Sequence, residues 1–362
     1  MLLKEVIEKF GKSLIKAGDG KEFGAYPLYT CSPIVNKFLD SYVIDAEAIV
    51  VSTGGNFSLH YVNGKFNFST DCLVFKSSKF RTKYLFYYLL SQKSRINAMF
   101  RGAGIKHLNK HEFMNLNINE ISINKQDEII KKLDFLQKSI NNRKEQLKDL
   151  EKLIKSQFIQ MFDTNKNSIY NFDKLSNLTL KITDGKHGGC KSKTNSGYYF
   201  IGATEIYDDK VNYQTAKQIT EDDFIKDYKR CDLKNNDFLI VNTGATIGKS
   251  AITNSELSNR TLLQKSVALI RVNPDILNTR YLKYCYECNP EMYNKGNGCA
   301  RINLLLSQIK DTMIPVPPLE LQNKFSNMVE KIEKKRDFYK EDINDLEKLF
   351  EETLYKHFYG GN

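Results

Sequence analysis

The chain has 362 residues, enough for two or more domains with cores of their own. Lys and Arg number 54 against 43 Asp and Glu, giving a net charge of +11 and a pI of about 9.0, a balance that points to a polyanionic partner rather than to any fold. No apolar run approaches the roughly 20 residues of a membrane span. The N-terminus turns charged at Lys4-Glu5, so the chain reads as cytoplasmic, with no membrane partner and with its seven cysteines reduced.

In chain order, residues 1–118 carry short β-rich runs separated by turn residues. Ala48-Ile49-Val50-Val51-Ser52-Thr53-Gly54-Gly55 is the clearest of them, Thr82-Lys83-Tyr84-Leu85 opens a short helix, and Gly102-Ala103-Gly104 is a Gly-rich loop ahead of Leu108-Asn109. A long helix follows over about 126–158. Its apolar positions Ile129, Leu133, Leu136, Ile140, Leu147, Leu150, Ile154 and Phe158 alternate by four and three, interrupted at Arg143. Residues 163–316 then repeat the first pattern. Asp237-Phe238-Leu239-Ile240-Val241-Asn242-Thr243-Gly244-Ala245 answers the first β-run, Thr279-Arg280-Tyr281-Leu282 the short helix, Gly296-Asn297-Gly298 the loop and Ile302-Asn303 its end. Pro315, Pro317 and Pro318 keep the lead-in extended up to the second long helix. Its seam runs Phe325, Val329, Ile332, Tyr339, Ile343, Leu346, Phe350 and Leu354, interrupted at Arg336.

The chain is therefore a duplication. Asp149-Leu150-Glu151-Lys152-Leu153 returns 196 positions later as Asp345-Leu346-Glu347-Lys348-Leu349, and Gln126 falls on Gln322 at the same offset. Two narrow seams of equal length are each other's simplest partner, with Arg143 and Arg336 near each other or turned to an acidic partner. The expected fold is α+β: two β-rich domains, 1–118 and 163–316, and two long helices at 119–162 and 317–362 that pair as a coiled coil.

Enzyme motifs fail on spacing. Gly244-Ala245-Thr246-Ile247-Gly248-Lys249-Ser250 has three residues between its glycines where a phosphate loop needs four. Asn289-Pro290-Glu291-Met292 lacks the second proline and the aromatic of an amino-methyltransferase motif. Cys285-Tyr286-Glu287-Cys288 is one pair and cannot close a zinc site. Glu221, Asp222 and Asp223 read as a solvated charge run, and the five histidines form no triad. No catalytic residue, metal or cofactor is expected.

Binding chemistry remains. In the second half, Thr183-Asp184-Gly185-Lys186-His187-Gly188-Gly189-Cys190-Lys191-Ser192-Lys193 offers Lys186, Lys191 and Lys193 to phosphates, with Asp184 and His187 for base edges beside Thr183. Thr243, Thr246 and Lys249 stand on the next loop. In the first half Ser52, Thr53, Asn56 and Ser58 take that place. Lys106 and Arg301 follow the two Gly-rich loops. Each stretch taken singly is also an ordinary turn. Matched in pairs on a basic, duplicated frame, they favour nucleic acid.

These features resemble the specificity (S) subunit of Type I restriction-modification systems. The likeness rests on the two β-rich halves and on Ile182-Thr183-Asp184-Gly185-Lys186-His187. It rests also on Thr243-Gly244-Ala245-Thr246-Ile247-Gly248-Lys249, and on Ile314-Pro315-Val316-Pro317-Pro318-Leu319-Glu320-Leu321-Gln322 leading into a repeated helix. The resemblance implies two target recognition domains held apart, with pseudo-twofold symmetry, by long helical spacers that pair as antiparallel coiled-coil helices, reading a split double-stranded DNA target with one half-site per domain. It implies partners that do the chemistry: modification subunits, two per chain, that methylate adenine, and restriction subunits that translocate and cut. It leaves this chain without an active site. The first half opens with Gly24-Ala25-Tyr26-Pro27-Leu28-Tyr29 in place of the Thr-Asp-Gly-x-His stretch, so the two domains should read different half-sites. A helix of about 33 residues would run roughly 50 Å, room for two domains on one face of DNA about one turn, 34–36 Å, apart. The alternative is a stand-alone sequence-specific DNA-binding protein, a repressor or architectural factor.

Overall fold

The computed structural model describes residues 1–162, 169–289, 292 and 303–359. The chain divides into two units, Met1–Glu145 with Tyr339–Asn362, and Gln146–Phe338.

In the first unit the strands are β1 (Ile7–Lys9), β2 (Tyr26–Tyr29), β3 (Phe38–Leu39), β4 (Ile44–Ser52), β5 (Leu59–Phe68) and β6 (Cys72–Ser77). They form one sheet in the order β1-β6-β4-β5-β2-β3, antiparallel except where β2 runs parallel to β5. Short helices α1 (Thr82–Ser91) and α2 (Lys93–Asn97) lead to the hairpin β7 (Phe100–Arg101) and β8 (His107–Leu108), then α3 (Lys110–Met114) and the long α4 (Ile123–Phe162). The run Ala48-Ile49-Val50-Val51 is apolar throughout because β4 is covered on both faces. Ile49 and Val51 enter the core shared with α1 and the long helices, while Ala48 and Val50 enter the core beneath β5 and β6.

The second unit repeats this logic with longer loops. Its elements are β9 (Phe172–Lys174), β10 (Thr179–Asp184), β11 (Tyr199–Ile201), β12 (Ile206–Tyr207), β13 (Lys210–Val211), β14 (Lys217–Gln218), α5 (Glu221–Cys231), β15 (Phe238–Val241), β16 (Ser250–Ile252), β17 (Thr261–Leu263), β18 (Val267–Val272), α6 (Thr279–Cys288), α7 (Leu306–Lys310), β19 (Met313–Pro315) and α8 (Leu319–Phe358). The main sheet is β10-β18-β15-β16, and β14-β11-β17 form a second. Phe238 and Ile240 face the helical core, and Leu239 and Val241 face the core under the second sheet. Each fully buried side chain of this size is worth about 1.5–3 kcal/mol.

Each unit holds one antiparallel pair of helix segments. In the first, Ile129, Leu133, Leu136 and Ile140 of α4 share a core with Phe350 and Leu354 of α8. Arg143 lies 2.5 Å from Asp342 and 4.8 Å over the Tyr339 ring, so the arginine that interrupts the seam finds its acidic partner there. At the other end of the same pair, burial and the nearby Lys132 and Lys125 hold the His357 imidazole below its usual value. In the second unit the rings of Phe158 and Phe162 of α4 each meet that of Phe325 of α8 edge to face, with centroids 5.4 Å apart. There Arg336 is 6% exposed and bonds Asp209 at 2.6 Å. Asp209 also lies 3.4 Å from the buried Lys283, which pairs with Glu287 at 2.6 Å.

The matched glutamines explain why the repeat survives at a fixed offset. Gln126 is 1% exposed; its Oε1 accepts from the Arg81 amide at 2.8 Å and its Nε2 donates to the Ile121 carbonyl at 3.0 Å. Gln322 is fully buried; its Oε1 accepts from the Asn278 amide at 2.8 Å and its Nε2 donates to the Ile276 and Pro317 carbonyls at 3.1 and 2.8 Å. In each unit one amide side chain ties the start of a long helix to the start of the short helix that follows the sheet. Replacing Gln322 by Leu strands those backbone groups in the interior at about 1–3 kcal/mol per group. Urea unfolding should show a loss of at least that size in the second unit, and Gln126→Leu the same in the first; a loss under about 0.5 kcal/mol would remove the clamp from the account.

Candidate nucleic-acid interface

In the first unit four loops meet around the turn that closes β4 and β5. The Thr53 amide and hydroxyl both donate to the Asp71 carbonyl, at 2.7 and 3.0 Å. The Cys31 thiol reaches the same oxygen at 3.4 Å, and the Thr70 amide donates to Ile15 at 2.9 Å. The β7–β8 hairpin closes the other side: the Gly55 amide donates to the Lys106 carbonyl at 2.9 Å, and the Leu108 amide to Thr53 at 3.0 Å. Asn56 and the Lys106 side chain are exposed. Ser52 and Ser58 are not, at 0% and 3%. The Ser52 hydroxyl donates to the Asn56 carbonyl and accepts from the Ser58 amide, both at 2.8 Å, so these two serines build the turn rather than present it.

The second unit makes the same junction. Thr243 bridges to Asn303, and the Leu304 amide donates to the Asn242 carbonyl at 2.8 Å. Thr243 and Thr246 are half-buried and Lys249 is exposed. Arg301 and the loop Gly296-Asn297-Gly298 lie outside the described residues.

In the loop after β10 several of the candidate residues have partners within the domain. Lys186 is ion-paired with Asp227 of α5, and its side chain is 16% exposed; that hydrogen bond raises its pKa. Asp184 is held by Arg230 of α5, with the His187 ring 3.5 Å away. Neither charge is free for a ligand. Gly185 serves the fold as well: a Cβ there would stand 2.1 Å from the Leu263 carbonyl oxygen, where the loop lies against β17. Thr183 is half-buried, its hydroxyl 3.3 Å from the Asp184 carbonyl. His187, Lys191 and Lys193 remain exposed. The acidic run is no bland solvated face either. Asp223 accepts from the Lys191 amide at 2.6 Å and Glu221 from the Tyr198 hydroxyl at 2.6 Å, so α5 braces the loop. Thr220 caps this helix, its hydroxyl accepting from the Asp223 amide at 3.4 Å, and acidic residues suit a first turn.

Burial pushes up the thiols of Cys285, which is fully buried, and of Cys288, the latter to about 11. They are protonated core thiols. Among the described residues no group of three or more His, Cys, Asp or Glu could hold a metal ion, and no helix is long and apolar enough to cross a membrane.

The family model described as the Type I restriction modification DNA specificity domain matches residues 1–152 and 183–348, one match to each repeat. The chain belongs to this family. Among curated proteins, the specificity subunit of the Type I restriction enzyme EcoDI from Escherichia coli is 27% identical over 149 residues, 39% of this chain. That alignment spans 33% of the relative, about a third of its length. The fold is similar to the solved S subunit of a Type I restriction-modification system from M. genitalium, with a TM-score of 0.67 at 14% identity over 98% of this chain and 94% of that one. A chain solved in work on complex assembly and conformational transition of the type I R-M system gives 0.55 at 16%, covering 99% and 97%.

Within this specificity-family fold, sequence reasoning missed Cys31. A hydrogen bond with Cys72, and a weaker one with the Gly54 backbone, outweigh burial and lower its thiol to about 7, while Cys72 is pushed up by the same contact. A lowered pKa means more thiolate at neutral pH. Alkylation of Cys31 by iodoacetamide should therefore rise through about pH 7, where an ordinary thiol titrates near 8.5. DNA covering the turn should slow that reaction; equal rates with and without DNA would put the turn outside the interface.

Proposed function

We propose that this chain is the DNA sequence-recognition subunit of a Type I restriction-modification complex. Domains 1–118 and 163–316 each read one half of a bipartite double-stranded target. Adenine methylation and cleavage are carried out by partner subunits, two modification subunits per chain and the restriction subunits, in the cytoplasm. The observation that carries this reading is the recurrence, in both specificity-family matches, of one junction: a strand-end loop bridged to a stretch after the short helix, Gly54 to His107 in the first unit and Thr243 to Asn303 in the second. That junction presents different side chains in each unit, as two different half-sites require.

The division of labour follows from exposure. Asn56 and Lys106 in the first unit, and His187, Lys191, Lys193, Thr243, Thr246 and Lys249 in the second, face the DNA. Ser52, Thr53, Ser58, Thr183, Asp184 and Lys186 shape the loops that carry them. Phosphate contacts set affinity and its salt dependence without choosing a sequence.

Lys191→Ala and Lys249→Ala should each lower the slope of log K against log salt by about 1 and weaken binding to all sequences alike. Lys186→Ala should leave the slope alone, because its charge is already matched by Asp227. A full slope in both of the first two variants would take these loops off the DNA. A normal slope with no preference for any split sequence would favour a stand-alone, architectural DNA-binding protein.

A further inference from the structure

Among the described residues, three well-exposed aliphatic side chains stand on the loops that meet at the first unit's junction, against one at the second's, Leu305, which is 57% exposed beside Leu304. Leu14 is 93% exposed, Ile34 70% and Ile105 74%. Single exposed aliphatics are ordinary on protein surfaces. These three stand on three separate loops that all hydrogen-bond into one junction. Leu14 adjoins Ile15, whose carbonyl takes the Thr70 amide beside the Asp71–Thr53 bond. Ile34 follows Ser32, whose carbonyl meets the His60 ring at 3.0 Å, and Thr30, whose carbonyl takes the Ser58 hydroxyl at 3.4 Å. Ile105 is in the hairpin that holds Gly55 through Lys106. Exposed lysines 12, 16 and 106 flank them, so the patch is apolar at its points and cationic around them. A protein or membrane partner would also accept aliphatic side chains, but the flanking lysines on the proposed DNA face match a polyanion. In the second unit the loop at 243–249 has Ile247, which packs on the core.

We propose that the first unit reads its half-site chiefly through the C5-methyl groups of thymines, contacted in the major groove by Leu14, Ile34 and Ile105. Thymine is the one base that offers an apolar group on the major-groove edge, and apolar side chains are its complement. Bases without that methyl give these side chains nothing to cover, while the lysines hold the backbone of any sequence. The second unit, with His187, Thr243 and Thr246 at its face, reads its own half-site by hydrogen bonds. This inference rests on the DNA-recognition reading and specifies the chemistry of one of its two halves.

The test uses the full chain in complex with its modification subunits and the split target that methylation sequencing identifies. Uracil replaces thymine in one half-site, then in the other, removing methyl groups and no hydrogen bond. Competition binding should show a loss of about four-fold for each contacted methyl in one half-site only. The combined variant Leu14→Ala, Ile34→Ala, Ile105→Ala should bind thymine and uracil versions of that half-site equally, and keep the unmodified protein's response to changes in the other. Uracil without effect in either half-site, a thymine preference that persists in the variant, or a target with no thymine in either half would overturn the proposal. The first measurement needs no variant, so a misfolded variant does not shield the idea. Absence of any split-sequence preference in the unmodified complex is a different result, and removes the recognition reading first.

Discussion

A buried glutamine amide fixes each long helix to its domain. The amide offers one acceptor and two donors, and a helix start leaves backbone donors and acceptors without partners. Gln126 and Gln322 meet that need with one side chain apiece, accepting from the first amide of the short helix and donating to the chain that leads into the long one. These bonds join two segments 44 and 45 residues apart in sequence, so moving either one exposes the polar groups of the other. Tight packing around it then follows: Tyr87 and Tyr88 meet Phe350 and Phe358 in the first unit, and Tyr281 and Tyr284 meet Phe158 in the second.

With the frame held from the helix side, the far ends of the sheets are free to vary. In both units the strand-end loop is tied by backbone hydrogen bonds to the segment after the short helix, so its exposed side chains can differ while its anchoring stays the same. The first unit fills that path with small polar residues ringed by aliphatics. The second fills it with threonines and Lys249, and adds the long loop after β10 that carries His187, Lys191 and Lys193 and is braced by the carboxylates of α5. A duplicated scaffold with unlike tips suits a protein that reads two unlike sequences in a single event.

The scaffold was legible in the chain because it obeys period and offset. The two seams, the arginines that interrupt them, the paired glutamines and the proline lead-in into α8 all follow from spacing, and the doubly covered β4 and β15 from continuous apolar runs. The first long helix extends about three to four residues past the expected 126–158, to Ile123–Phe162, where Ser122 and the aromatic core set the limits. The recognition faces were only half legible. Lys186 and Asp184 looked like ligand-facing charges because their partners, Asp227 and Arg230, lie more than 40 residues away on a helix whose acidic run had no evident target. Ser52 and Ser58 looked like donors because a turn's internal bonds leave no pattern in composition. Leu14 and Ile34 gave no signal, since exposure of an aliphatic side chain is a property of the folded loop alone.

In the proposed function, two unlike faces specify a split target for a partner enzyme. Methylation sequencing of host DNA with the gene present and deleted tests it most directly, in a host that expresses the partner methyltransferase. The account predicts the loss, on deletion, of methylation at one motif made of two defined halves around a fixed run of unspecified bases. An unchanged methylome would contradict it.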